Sequence, residues 1–270
     1  MGGDDHGLMI ELVLFENDAS AASACITAGI SSFLVDTELM GKDFRQLGFN
    51  TEIRPGTFRD LEEVAAIPGA TTWCRINRFG SHTGAEVNSA IDAGAGVVLL
   101  PMADSEREIE EFLDLLDGRC RAAIMVETVT SAANATGFAH LPLDYIFFGM
   151  NDFAISRGGG SIFRALADGS VERVRQALPD LNFGVGGLTD IHLGSPIPSA
   201  RLLEEMERLG CAFTFLRRSF RRDSKVVGTP AIVEGITAYW RQCAARTDQQ
   251  RAEDHDSLVA IIDHIENNGN

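Results

Sequence analysis

Apolar residues along this chain gather into short runs, and stretches with helical spacing lie between them. The runs cover residues 9–15, 32–38, 72–77, 96–102, 122–128, 144–151, 182–188 and 211–217. They are rich in Val, Ile, Leu and Phe without strict polar alternation, as strands covered on both faces should be. Residues 19–28, 85–93, 105–116, 131–140, 171–178, 199–209 and 230–243 read as helices. Ser105 with Glu108 three residues on signals one helix start, and Gly94, Gly118 and Gly210 mark helix ends. Eight strand runs, each followed by a helix or by room for one, predict an α/β fold of the (β/α)8 TIM barrel type. The rival, a doubly wound sheet, calls for a Gly-rich phosphate turn after the first strand. Phe15-Glu-Asn-Asp18 is not such a turn. No linker-like region divides the chain and no repeat recurs, so residues 1–270 are expected to form one barrel domain. From about residue 248 the sequence reads as a polar C-terminal tail. Its one apolar patch, 258–265, is expected to pack on a neighbouring subunit.

Composition narrows the function. With 39 acidic against 23 basic residues the net charge is −16, a field that repels nucleic acid and anionic membranes alike. No apolar run approaches the roughly 18 residues of a membrane span. Met1-Gly-Gly-Asp-Asp-His6 lacks the pattern of a signal peptide, and the five cysteines are scattered without a C-x-x-C pair. A cytoplasmic protein with reduced thiols is expected. The basic residues include only two lysines, Lys42 and Lys225, and neither falls in a predicted strand. Schiff-base catalysis, which needs a lysine desolvated in the pocket, is therefore not expected.

In such a barrel, chemistry sits at the carboxyl ends of the strands. Those ends read Asp36-Thr-Glu38, Arg75-Ile-Asn77, Pro101-Met102, Glu127-Thr128, Gly149-Met-Asn-Asp152, Gly186-Gly187 and Arg217-Arg218. Acids from three strands and an arginine from a fourth thus share one rim. Carboxylates without a Cys/His cluster suit a hard divalent cation, Mg²⁺ or Mn²⁺. An arginine beside them offers a planar fork to a substrate carboxylate. Together these are the needs of an enzyme that holds a 2-oxo acid and stabilises its enolate.

The segments Ala93-Gly-Ala-Gly-Val-Val-Leu-Leu-Pro101, Ile124-Met-Val-Glu127-Thr and Tyr145-Ile-Phe-Phe-Gly149-Met-Asn-Asp152-Phe resemble the HpcH/HpaI aldolase and citrate lyase β-subunit family. Arg75-x-Asn77 and Asp36-x-Glu38 fit the same pattern in the same order, so the resemblance covers roughly residues 33–153. It implies that Glu127 and Asp152 bind the metal and that Arg75 grips the carboxylate of pyruvate or another 2-oxo acid. It places Asp36 and Glu38 near the metal's water shell and brings the backbone of Gly149, Met150 and Asn151 close to the substrate. It also implies a homo-oligomer with helix exchange near the C-terminus, which would suit residues 230–243.

One departure stands out. Pyruvate aldolases of this family carry a His directly after the strand-two acid, where this chain has Leu39; the citrate-lyase-like branch has a further Asp there, also absent. His82 and His192, in the loops after strands three and seven, are the nearest substitutes. The run Arg217-Arg-Ser-Phe-Arg-Arg-Asp-Ser-Lys225 is either an anion site for the co-substrate, with Arg217 and Arg218 as binding residues, or an ion-paired face. The expected function is a divalent-metal-dependent carbon–carbon lyase or aldolase, or the reverse condensation. It would join or part a 2-oxo acid and an aldehyde or other carbonyl co-substrate. The alternatives are cleavage or formation of an acyl-CoA ester and a non-catalytic small-acid-binding barrel.

Overall fold

The structure, a computed structural model, describes residues 9–39 and 55–268. Lys42 lies outside the described residues. Strands β1 (Glu11–Phe15), β2 (Ser32–Asp36), β3 (Thr71–Arg75), β4 (Val97–Leu100), β5 (Arg121–Val126), β6 (Tyr145–Phe148), β7 (Asn182–Val185) and β8 (Phe213–Phe215) close into a barrel in chain order. Every neighbouring pair is parallel, β8 with β1 included. Each predicted apolar run overlaps one of these strands, with β3 and β5 starting one residue earlier than predicted. The protein is an α/β protein of the (β/α)8 TIM barrel type.

Side chains pointing into the barrel form one core and those pointing outward form another against the helices. The lumen is filled by large rings. Phe147 stacks on Phe215 at 4.0 Å between centroids, and Trp73 packs on Tyr145 at 4.7 Å and on Phe213 at 5.2 Å. Gly184 in β7 is what lets Phe213 into the lumen, because a Cβ there would lie 2.7 Å from the ring. This filling makes a dry floor beneath the rim, where charge–charge forces are stronger than in water.

The helices are α1 (Ala19–Ile26), α2 (Phe58–Ala65), α3 (Thr83–Asp92), α4 (Glu106–Leu116), α5 (Val129–Phe138), α6 (Met150–Ser156), α7 (Arg164–Ala167), α8 (Ser170–Ala177), α9 (Ser199–Arg208), α10 (Phe220–Val227), α11 (Thr229–Ala244) and α12 (Asp248–Asn268). Five of them, α2, α6, α7, α10 and α12, were not among the predicted helical stretches. The apolar run 144–151 overshoots β6 because Met150 already opens α6, so one apolar stretch serves two elements. The basic run 217–225 is largely helix α10.

The C-terminal stretch departs furthest from expectation. It is a 21-residue helix rather than a tail, and Leu258 and Ile262 are buried against the chain's own barrel. It lies on α9 and α7, and α11 packs on α9 and α10 of the same chain. Its polar residues are used as clasps. Arg246 reaches Glu207 at 2.8 Å and Asp254 at 2.7 Å, Arg251 reaches Glu207 at 2.8 Å, and Arg164 reaches Asp263 at 2.7 Å.

One clasp includes a histidine. His255 Nδ1 lies 3.1 Å from Glu205 Oε2, and hydrogen bonding to Glu205 raises the imidazole pKa above its ordinary 6.5. Burial alone would raise the Glu205 carboxyl, but hydrogen bonds from Arg208 and His255 outweigh it and hold it low. The raised histidine contributes stability in full below pH 6.5, and that contribution is lost as pH rises through its folded value. Amide exchange in α12, corrected for intrinsic rates, is expected to show about 0.5–1 kcal/mol weaker protection at pH 8.5 than at pH 6. His255→Ala should erase the difference; a difference that survives the substitution would assign it elsewhere.

Candidate active site

Glu127 follows the last residue of β5 and is 1% exposed. Its Oε1 accepts the Met102 backbone N–H at 2.9 Å, and Met102 holds a left-handed φ of 52°. A left-handed conformation is uncommon for a side chain of this kind, so the loop after β4 is bent at some cost. Oε2 is buried without a hydrogen-bond partner among the described residues. Such an orphan acceptor costs about 1–3 kcal/mol, which makes it a sign of a missing ligand. Burial, and then the nearby charge of Asp152, push the Glu127 carboxyl well above the usual carboxylate range; Arg75 and the Met102 N–H oppose this without winning. Gly149 supplies the space beside it. A Cβ at 149 would stand 2.6 Å from both Cβ and Oε2 of Glu127. Asp152 enters from the first turn of α6.

Arg75 is the last residue of β3, and the β2–β3 register sets it directly opposite Asp36. The consequence is a two-pronged pair: Nε to Oδ1 at 3.0 Å and Nη2 to Oδ2 at 2.7 Å. Glu38 Oε2 lies 3.5 Å from the same Nη2, and the guanidinium sits over the Phe15 ring at 5.6 Å. Burial alone would lower the arginine's pKa, but Asp36 and Glu38 drive it further up, so the charge is permanent. Asp36 thus occupies the Nε–Nη2 edge of the fork. The Nη1 end lies 3.8 Å from the Met125 sulfur. The sequence did not foresee that Asp36 pairs with Arg75.

The other expected residues divide between rim and periphery. Met150 is buried and Asn151 exposed at the start of α6. His82 stands at the N-cap of α3, with Nε2 3.0 Å from the Arg78 carbonyl. His192 is exposed in the loop after β7. Arg217 is turned away from the anion role: Nε donates to the Gly187 carbonyl at 2.7 Å and Nη2 to the Ile197 carbonyl at 3.2 Å, which anchors the β7–α9 loop. Arg221 pairs with Glu16 at 2.8 Å and Arg222 with Asp223 at 3.0 Å, while Arg218 is exposed. Sequence reasoning missed Asp104 and gave Met102, though it stood on the rim, no role. Asp104 accepts from the Thr128 hydroxyl and, at 3.3 Å, from Arg78, and so ties the β4 and β5 loops together. Only the fold brings these groups to Glu127, and no sequence spacing announces it.

No protein-family model matches the chain, and no curated protein matches it in sequence. Solved structures match it in shape. CitE from Mycobacterium tuberculosis, in complex with magnesium and pyruvate, superposes with a TM-score of 0.59 at 15% identity over 94% of this chain and 99% of that one. RipC from Yersinia pestis gives 0.57 at 16% identity over 90% and 99%, and macrophomate synthase gives 0.55 at 14% over 89% and 86%. At these identities the likeness is one of fold. The chain is a (β/α)8 barrel whose carboxyl-end rim gathers Asp36, Glu38, Arg75 and Glu127. No helix among the described residues is long and apolar enough to cross a membrane.

Proposed function

We propose that the protein is a divalent-metal-dependent carbon–carbon lyase or aldolase of the HpcH/HpaI and citrate lyase β-subunit type, acting on a 2-oxo acid. The observation that carries this reading is the orphaned Oε2 of Glu127, buried beside the space that Gly149 leaves and within the field of Asp152. Two carboxylates in a dry pocket repel each other, and a hard cation held by Glu127 and Asp152 relieves both the repulsion and the orphan. Mg²⁺ or Mn²⁺ fits this oxygen donor set. Such an ion supplies positive charge beside the keto oxygen, where negative charge develops.

The chain's own residues do the rest. The Nη1 end of Arg75 takes the substrate carboxylate, and Asp36 keeps the fork from turning. In the cleavage direction the bond from C3 of the 2-oxo acid part to the hydroxyl-bearing carbon breaks. Its electron pair stays with the 2-oxo acid as an enolate, the hydroxyl proton passes to water, and the aldehyde or other carbonyl partner leaves. Glu38, next to Arg75, orients the water that exchanges the proton at C3. His82 is engaged with the Arg78 carbonyl and enters as a catalytic group only if its ring turns. The basic run lends the acyl-CoA alternative no support, because Arg217, Arg221 and Arg222 are already bonded within the chain. A homo-oligomer belongs to the same reading. That the structure of CitE is a complex with magnesium and pyruvate agrees with it.

The test is exchange of the pyruvate methyl protons in D₂O, followed by NMR with Mg²⁺ or Mn²⁺ and again with EDTA. Exchange that needs the metal is expected. Pyruvate binding without metal-dependent exchange would replace this reading with a small-acid-binding barrel.

A further inference from the structure

We propose that Glu86 and Asn77 form a positioning pair that holds the strap 37–39, and with it Asp36 and Glu38, in place around Arg75. The inference rests on the proposed function for its catalytic consequence and on the geometry alone for the strap. Asn77 lies two residues beyond β3 and is buried. Its backbone N–H donates to Glu86 Oε2 at 3.0 Å, and its side-chain Nδ2 donates to Glu86 Oε1. A carboxylate only accepts, so Glu86, in the first turn of α3, dictates which way the Asn77 amide faces. Turned the other way, Oδ1 would confront a carboxylate oxygen. With Nδ2 committed to Glu86, Oδ1 faces the strap and accepts the Leu39 N–H at 2.8 Å.

The strap is held at its other end by Arg75 itself. The Thr37 N–H and hydroxyl both donate to the Arg75 carbonyl, at 3.0 and 2.9 Å, and the Glu38 N–H meets Asp36 Oδ1 at 3.3 Å. Glu38 lies between the two anchor points, and its carboxylate is 2% exposed and 3.5 Å from Arg75 Nη2. Removing the Asn77 anchor frees one end of a three-residue span whose middle residue crowds the substrate-facing arginine. The effect should fall on 2-oxo acid binding, through Arg75, and leave metal affinity alone, because Glu127 follows β5 and Asp152 lies in α6.

A charge-neutral swap tests this. Glu86→Gln leaves one Asn77 donor facing an NH₂, and Asn77→Asp sets two carboxylates face to face. In the double variant the new amide donates to the new carboxylate, its oxygen accepts the backbone N–H at 77, and the second carboxylate oxygen still accepts from Leu39. Each single variant should raise the pyruvate KM for proton exchange at least tenfold, speed amide exchange at 37–39 at least tenfold, and leave the Mn²⁺ Kd within twofold. The double variant should return KM and amide exchange to within threefold of the parent. Singles that change neither quantity, or a double no better than the worse single, would overturn the proposal. If a single variant fails to fold, the double alone decides by the same criteria. If the parent shows no pyruvate exchange, the functional reading fails, and the positioning pair stands or falls on amide exchange at 37–39.

Discussion

Arg75→Ala is expected to abolish 2-oxo acid turnover and to destabilise the fold by about 3–5 kcal/mol, the usual result of removing one partner from a buried ion pair. The guanidinium faces Asp36 on two hydrogen bonds, lies 3.5 Å from Glu38 and acts on Glu127. Without it three carboxylates share a small, largely dry volume with no cation among them. The Asp36 and Arg75 side chains are 17% and 15% exposed, so solvent screens them partly and the lower end of the range applies at high salt. Asp36→Asn is the matched control. It keeps the shape and one acceptor, leaves Glu38 beside the arginine, and should cost less than half as much. The sign of the pH dependence follows from the charges. Protonation relieves the repulsion among the carboxylates left by Arg75→Ala, so its deficit against the parent should shrink as pH falls from 8 to 5. Urea denaturation at several pH values, alongside pyruvate exchange, checks both halves. A deficit independent of pH would mean that lost packing over Phe15 dominates rather than charge.

The barrel was open to reading because a strand covered on both faces must be apolar along its whole length. That is why all eight runs stood out, and why Asp36, Arg75, Glu127 and Gly149, each at the end of a run, came out on one rim. Partnerships were less legible. Asp36 and Arg75 are 39 residues apart, and only the β2–β3 register makes them neighbours; a slip of one residue would separate them. Arg217 illustrates the converse. Its place after β8 suggested an anion site, but whether a rim arginine faces ligand or loop depends on where the β7–α9 loop returns, and here the carbonyls of Gly187 and Ile197 take it. Glu86 had no signal at all, since nothing in its sequence separation from Asn77 announces a bond. The C-terminal stretch was misread because its polar residues looked solvated. Some of them instead pair with arginines of the barrel's own helices, Asp254 with Arg201 and Asp263 with Arg164, beside the buried Leu258 and Ile262.

Glu127→Gln is expected to separate stability from activity in opposite directions. In the metal-free protein the Glu127 carboxyl is held well above its ordinary value by burial and by Asp152. A carboxyl whose folded pKa is raised keeps its proton longer in the native state than in the unfolded chain. Stability therefore falls as pH climbs from the unfolded value toward the folded one. Glutamine fills the same space and removes that penalty. Its carbonyl oxygen still accepts the Met102 N–H, and its NH₂ takes the position of the orphaned Oε2. At pH 8 the variant should be more stable by about 2 kcal/mol, or roughly 4–8 °C in Tm. The gain should fade toward pH 4.5, where the parent's carboxyl is protonated in the fold and about half protonated in the unfolded chain. Proton exchange on pyruvate should meanwhile fall at least 10³-fold, and Mg²⁺ should stop raising the Tm, because a neutral amide is a poor ligand for a hard cation. Calorimetry with and without Mg²⁺ measures all of this on one sample. A variant that loses stability at pH 8 would show that the Glu127 carboxylate is satisfied in the metal-free fold, and the orphaned oxygen would then no longer point to a cation. A variant that is stabilised and inactive would tie the strain at Glu127 to a ligand the folded chain is built to receive.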